Sequence, residues 1–305
     1  MKKLYRILLG LALFGAITAW FLSAPQYVDQ ADFENLTGDA TRGEIVFAAG
    51  GCTSCHAAPD ATGDDKNILS GGQHFASDFG TFIAPNISPD PTQGIGDWAL
   101  VDLANAMQRG VSPEGKHFYP AFPYTSYVRM DAQDIADLYV FLKTLPPSAT
   151  PNAPHEVGFP FNIRRALGLW KFLFFKSDAV MDVSDDALVA RGQYLVEGAG
   201  HCAECHTPRN LIGGLQLSKW LSGAPNPDGP GFIPNITQHD DALGTWSADE
   251  IGEYLTTGFT PEFDVVGGSM GSVVDNMAKL PAEDIAAIAA YLKSLPALER
   301  SQPRQ

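Results

Sequence analysis

All four cysteines of the chain lie in two copies of one short pattern. In each copy two cysteines are separated by two residues, and a histidine follows the second cysteine directly. Two thiols at this spacing can add to the two vinyl groups of one porphyrin, and the adjacent histidine can bind the iron. The pattern therefore predicts two covalently bound haem c groups. The predicted attachment residues are Cys52, Cys55, Cys202 and Cys205, and the predicted iron ligands are His56 and His206.

Three alternative roles for the cysteines account for less of the pattern. A redox-active Cys-x-x-Cys pair is typical of a thioredoxin-like βαβ context, which the sequence lacks. The two pairs together could make a Cys₄ zinc site, but 150 residues separate them. Two disulfides would each close a very small loop, and they do not explain why histidine follows both pairs.

The first 24 residues are predicted to anchor the chain in a membrane. Lys2, Lys3 and Arg6 precede an uncharged apolar run over 7–22, which is typical of an export segment. A cleaved signal is the alternative, but Leu22 occupies a position where cleavage prefers a small residue. In either case the rest of the chain faces the exported side. We therefore expect a protein of the bacterial inner membrane whose bulk lies in the periplasm.

The formal net charge is −15 at pH 7. Such an acidic chain is repelled by phosphate backbones, which argues against nucleic acid as a partner.

The sequence also contains an internal duplication. When the two haem motifs are aligned, Pro85-Asn86-Ile87 matches Pro234-Asn235-Ile236, and the run over 139–146 matches that over 289–296. Each copy predicts three helices. The first precedes the haem motif, over 39–49 and 185–197, and the second begins at Trp98 or Trp246. The third starts near 131 or 281 and ends before a proline. The connecting stretches show no strand alternation, so the predicted fold class is all-α. The predicted divisions are 1–24 (anchor), 38–148 (first module), 149–182 (aromatic-rich linker) and 183–298 (second module).

The linker is basic and aromatic in an otherwise acidic protein, with ten large apolar residues between 159 and 175. Two interpretations stay open: a segment that docks on a membrane surface or partner, and a strap that packs against both modules.

The duplicated motifs, together with the Gly-x-Trp helix start and the ending Tyr-Leu-Lys-Ser-Leu-Pro over 291–296, resemble the membrane-associated multihaem class I cytochromes c. The resemblance covers roughly 40–298. It implies two tandem class I cytochrome c domains behind an N-terminal membrane-anchoring helix. It also implies an electron-transfer protein and not an enzyme, similar to the cytochrome subunits of quinoprotein alcohol dehydrogenases and related periplasmic dehydrogenases. The donor would be such a dehydrogenase, and the acceptor a soluble cytochrome or a terminal oxidase.

The same resemblance implies a methionine sulfur on the second face of each iron. For the second haem the expected ligand is Met270, which is predicted on the loop between the second and third helices and follows two glycines and a serine; Met277 is the alternative. For the first haem the corresponding position holds Phe122, which cannot bind iron, where many relatives carry methionine.

Met130 is the expected replacement at the first haem, although it could instead be a hydrophobic staple before the third helix. Met107 is expected inside the second helix, as a core residue. Two further alternatives are a bis-histidine haem through His117 and an open iron site; the neighbours of His117 suggest a surface or propionate contact instead.

The Pro-Asn pairs suggest support for the iron-binding histidines. A backbone carbonyl at Pro85 or Pro234 is expected to accept the Nδ1 proton of the histidine, and Asn86 or Asn235 to position the loop. Ordinary turn formation is the alternative.

An electron carrier is the leading prediction for function. The missing methionine at Phe122 keeps a dihaem cytochrome c peroxidase and a haem sensor as alternatives, because both need an open first haem.

Overall fold

The structure of the protein is a computed structural model, and it describes residues 1–183, 185–226 and 231–301. Ser184 and residues 227–230 of the predicted second module therefore lie outside the described residues. The helices are α1 (Lys2–Leu22), α2 (Ala40–Ala49), α3 (Cys52–His56), α4 (Leu100–Ala104), α5 (Tyr124–Tyr127), α6 (Ala132–Leu142), α7 (Ala166–Phe174), α8 (Ala187–Tyr194), α9 (Ala203–His206), α10 (Ala248–Thr257), α11 (Met270–Met277) and α12 (Ala282–Ser294). The strands are β1 (His74–Ser77), β2 (Gly80–Ile83), β3 (Ala224–Pro225) and β4 (Phe232–Ile233).

The prediction of a helical fold is correct except for two short hairpins. Strand β1 pairs antiparallel with β2, and β3 pairs antiparallel with β4. The sequence predicts no strands there, because two to four residues are too few to show an alternating pattern. Each hairpin ends just before Pro85 or Pro234, so it positions the Pro-Asn pair of its module.

The three expected helices of each module are present, and their starts follow local capping. Asp39 precedes α2 and accepts hydrogen bonds from the backbone N–H groups of Thr41 and Arg42, and Asp186 caps α8 in the same way. The second helix of each module begins at Leu100 or Ala248, two residues after the predicted tryptophan.

Each module is built on close contact between its first and third helices. Gly43 of α2 lies so near α6 that an added Cβ would be 2.1 Å from the carbonyl oxygen of Asp137. Gly192 of α8 occupies the equivalent position, where a Cβ would be 1.9 Å from the carbonyl oxygen of Ala287 in α12. Only glycine permits this approach, and its recurrence shows that both modules use the same packing.

The lysine of the repeated closing motif also has the same role in both modules. Lys143 donates from Nζ to the carbonyl oxygens of Ile95 and Gly96, at 3.1 and 2.5 Å. Lys293 donates to the carbonyl of Trp246 at 2.7 Å. Each lysine therefore ties the third helix of its module to the turn that precedes the second helix.

Helix α1 contacts the rest of the chain at its C-terminal end. It has 21 residues with none buried, and it is the one helix among the described residues that is long and apolar enough to cross a membrane. Its C-terminal end packs on α7, where an added Cβ at Gly168 would lie 2.3 Å from the carbonyl oxygen of Ser23. Arg165 strengthens this contact by donating to the carbonyl of Trp20 at 2.8 Å.

The linker is a strap, as one of the two interpretations held. Trp170 Nε1 donates to the carbonyl of Ile212 in the second module, and Lys171 Nζ donates to the carbonyl of Gly110 in the first, both at 2.8 Å. The linker nevertheless exposes Phe159 and Phe172, by 82% and 61%. Packing against the modules therefore does not use all of its apolar surface.

Candidate haem-binding sites

The two cysteine motifs lie on the short helices α3 and α9, each entered through a residue with positive φ. In the first module this residue is Gly51, with φ 57°. In the second it is His201, with φ 39°, a conformation that non-glycine residues seldom adopt. The ring nitrogen Nε2 of His201 lies 3.2 Å from the carbonyl oxygen of Gly50, and this contact helps to hold the strained turn.

Both motif histidines make the hydrogen bond that the sequence predicts. His56 Nδ1 lies 2.8 Å from the carbonyl oxygen of Pro85, and His206 Nδ1 lies 2.8 Å from that of Pro234. Because a carbonyl oxygen only accepts, Nδ1 carries the proton and Nε2 keeps its lone pair. Burial lowers the pKa of both imidazoles, although these hydrogen bonds oppose the shift. Both rings are thus held in the neutral form, with Nε2 able to bind a metal ion.

The asparagine that follows each proline fastens its loop, also as predicted. Asn86 donates from Nδ2 to the carbonyl of Ser148 at 2.8 Å, and its Oδ1 accepts from the backbone N–H of Ser88. Asn235 donates to the carbonyl of Leu298 at 2.7 Å. The loop that carries the proline carbonyl is thereby tied to the chain beyond the third helix.

The environment of the thiols does not favour the alternative cysteine chemistries. Burial raises the pKa of Cys52 and Cys202 to about 12 and that of Cys55 to about 11, whereas a redox-active pair needs a lowered pKa. No cluster of His, Cys, Asp and Glu able to hold a metal ion occurs among residues 1–183, 185–226 and 231–301. Two thiols and one oriented imidazole per module are the donor set that haem c requires.

The candidate methionine of the second module lies at the start of a helix. Met270 is the first residue of α11, whereas the sequence predicts it in a loop. Apart from neighbours in the chain and the backbone of α11 itself, no described atom lies within 4 Å of the Cβ positions that would be added at Gly267, Gly268 and Gly271. Met270 is partly buried and packs against the apolar core, and the alternative, Met277, is 4% exposed within that core.

In the first module Met130 is 3% exposed and belongs to the apolar core. Its Cγ lies 3.8 Å from the position that a Cβ would take at Gly198, so the side chain is at the junction of the two modules. Phe122 packs among aromatic rings, with Tyr127 at 5.6 Å between centroids. Met107 is buried in the core, as expected. Iron ligation by Met130 and Met270 stays a prediction.

His117 does not lie at the surface. It is buried, and its Nε2 lies 3.0 Å from the carbonyl oxygen of Ser23, at the end of α1. The expectation that His117 lies at the surface is therefore wrong. Local sequence does not indicate this contact, because 94 residues separate the partners.

Each haem-attachment motif contacts the other module, which the sequence does not predict. Asn276 of α11 donates to Ser54 Oγ at 2.9 Å, and its Oδ1 accepts from Thr53 Oγ1 at 3.3 Å. The second module thus makes direct hydrogen bonds to α3 of the first module. The contact between His201 and Gly50 joins the entries to the two motifs, and Glu204 inside the second motif accepts from Thr125 Oγ1 at 2.8 Å.

Comparison with known proteins agrees with this geometry. The sequence profile of the cytochrome c family matches residues 40–146 and 189–296. Each match contains one haem motif, one Pro-Asn loop and one closing lysine motif.

Three relatives illustrate the likeness. A dihaem cytochrome c-type protein of Cereibacter sphaeroides is 53% identical over 291 residues, 95% of this chain and 97% of the relative. A nicotinate dehydrogenase subunit of Pseudomonas putida is 40% identical over 83% of this chain but only 21% of its own length. The fructose dehydrogenase cytochrome subunit of Gluconobacter japonicus is 35% identical over 86% of this chain. The chain spans about half of that cytochrome subunit, 53%.

Proposed function

This chain belongs to the cytochrome c family and binds two haem c groups covalently, and from that premise we propose that it carries electrons from a periplasmic dehydrogenase to a respiratory acceptor. The proposal rests chiefly on one observation. Each attachment motif makes hydrogen bonds to the other module, so both motifs lie at the interface, which supports electron transfer between two haems held there.

The chain's own residues prepare each site for electron transfer. Cys52 and Cys55 would hold the first haem by thioether bonds, and Cys202 and Cys205 the second. When bound, each haem supplies a one-electron couple between ferric and ferrous iron. His56 and His206 would bind the iron through Nε2, with their rings fixed by the proline carbonyls so that ligation survives both oxidation states.

The sixth ligands are proposed to be Met130 and Met270. A thioether sulfur in an apolar pocket favours the ferrous state and so raises the reduction potential. Met130 is buried in the core, which suits this role at the first haem. With both axial positions filled the irons bind no substrate, and the chain acts as an electron carrier and not as an enzyme.

The proposed location is the periplasmic face of the inner membrane, with α1 as the anchor. The helix has no buried residue, and Lys2, Lys3 and Arg6 at its start would remain on the cytoplasmic side. This orientation places both modules in the periplasm.

A dehydrogenase is proposed as the electron donor because the relatives include subunits of nicotinate and fructose dehydrogenases. A soluble cytochrome or a terminal oxidase is proposed as the acceptor. No observation on the described residues favours the peroxidase or sensor alternative, which rested on Phe122 alone.

The test uses the full-length holoprotein, isolated from its own membranes in mild detergent. Dehydrogenases that co-purify are identified by mass spectrometry, and the substrate of each is added while the haem spectra are recorded. We expect the substrate to reduce both haems, and oxidised soluble cytochrome c to reoxidise them. If both haems stay oxidised with every co-purifying dehydrogenase, or the preparation turns over hydrogen peroxide, the proposal is wrong.

A further inference from the structure

A cavity of about 220 Å³ lies where the end of α1 meets α7 and the first module. Arg109, His117 and Lys171 line it together with Leu22, Gln26 and Phe172, and none of the described residues that line it belongs to a haem motif or to a Pro-Asn loop. A water molecule occupies about 30 Å³ in the liquid, so the cavity has room for a polar group larger than water.

The cavity contains polar groups that lack partners. Three buried side-chain nitrogen or oxygen atoms have no hydrogen-bond partner among the described residues, and two of them are Arg109 Nε and His117 Nδ1. A buried polar atom without a partner is unfavourable, because it has lost its hydrogen bonds to water and gained none in return. Two such atoms in one cavity therefore indicate a ligand able to bond to both.

The charges around the cavity specify what that ligand is. Lys171 Nζ donates to the carbonyls of Arg109 and Gly110, at 2.5 and 2.8 Å, which leaves one of its three donors available. Burial lowers the pKa of Lys171 to about 7, as expected of an amine that lacks a counter-ion. No carboxylate is among the described residues that line the cavity, in a chain of net charge −15. An anion would accept from Arg109 and Lys171 and would also favour a protonated His117 whose Nδ1 donates.

The surroundings distinguish a lipid phosphate from a free one. Phe172 lines the cavity and is 61% exposed, and the adjacent Leu173 is exposed as well. The apolar surface of α1 continues from the cavity for 21 residues without burial. Acyl chains could therefore lie along α1 while their headgroup enters the cavity.

We propose that this cavity binds the phosphate group of an anionic phospholipid, held by Arg109, His117 and Lys171 at the periplasmic end of the anchor. The inference rests on the membrane anchoring proposed above. The bound lipid would fix α7, and with it both modules, at a set height and orientation on the membrane.

The test is lipid retention by the full-length holoprotein. The wild type, Lys171→Gln and Arg109→Gln are assembled in nanodiscs of equal parts phosphatidylglycerol and phosphatidylcholine, then delipidated with detergent and analysed by native mass spectrometry. Lys176→Gln is the matched control, because Lys176 is an exposed lysine of the same linker. Haem spectra and sedimentation with membranes are recorded for every variant, so that loss of folding or anchoring is recognised separately.

We expect the wild type and Lys176→Gln to keep one phosphatidylglycerol per chain. Lys171→Gln and Arg109→Gln should retain about tenfold less, the effect of one lost charge-assisted hydrogen bond, with unchanged spectra and sedimentation. Equal retention by Lys171→Gln, equal retention of phosphatidylcholine, or replacement of the lipid by added inorganic phosphate would each overturn the proposal. The last result would identify a site for free phosphate.

Discussion

The contact between the first haem motif and the second module can be tested by removing Asn276. This side chain is 3% exposed and forms two hydrogen bonds to the first module, with Ser54 at 2.9 Å and Thr53 at 3.3 Å. Replacement by alanine removes both bonds and leaves the buried hydroxyl of Thr53 without that acceptor. At about 1 kcal/mol for each bond, with a further cost for the hydroxyl, Asn276→Ala should lower the free energy of unfolding by about 2–3 kcal/mol.

The assay is guanidinium unfolding of the holoprotein, followed by far-UV circular dichroism and by the haem Soret band. A double-mutant cycle with Ser54→Ala isolates the cross-module bond, and we expect a coupling energy of about 1 kcal/mol. Asn67→Ala is the control, since this asparagine is exposed and should change stability by less than about 0.5 kcal/mol. A coupling energy of zero, with Asn276→Ala as stable as the control, would refute the contact between the first haem motif and the second module.

Two further predictions concern the helix packing. Gly192→Ala places a methyl group 1.9 Å from a carbonyl oxygen, so it should destabilise the second module by about 1–3 kcal/mol in thermal unfolding. The control is Gly158→Ala, where the added Cβ meets nothing within 4 Å. If the two variants unfold at the same temperature, the close packing at Gly192 is contradicted. Burial alone would raise the pKa of Asp137. The hydrogen bonds that its carboxylate accepts, above all the one from Arg42, outweigh burial and hold this pKa below its ordinary value. A carboxyl group with a depressed pKa stabilises the fold above its unfolded pKa of about 3.9, and this contribution is lost as the pH falls through the lower folded value. In denaturant unfolding between about pH 5 and 2, the free energy of unfolding should thus fall less for Asp137→Asn than for the wild type. An equal fall in both proteins would exclude this role of Asp137.

The parts of the structure that follow from local sequence were predictable. Asp39 starts α2 because its carboxylate accepts from N–H groups two and three residues onward, a contact fixed by the sequence alone. The bond from His56 to the Pro85 carbonyl was also predictable. The spacing of that pair is the same in both copies, to within one residue, and so pointed to a shared function.

Contacts between distant parts of the chain were not predictable. Asn276 is 222 residues from Ser54, and one sequence gives no sign that the second module contacts the haem motif of the first. His117 was expected at the surface because its neighbours in sequence are polar, whereas the end of α1 covers it in the fold. The two hairpins were not predictable either, because strands of two to four residues are too short to show an alternating pattern in the sequence.

The most direct test of the electron-carrier account is the absorption spectrum of the full-length holoprotein, ferric and ferrous, with and without carbon monoxide. The wild type is compared with Met130→Ala and Met270→Ala. The account predicts that both wild-type haems show the weak far-red sulfur-to-iron band in the ferric state and resist carbon monoxide, and that each variant loses the band at one haem only. If one wild-type haem already binds carbon monoxide, its iron is open, and the proposal of a carrier with two filled axial positions is wrong.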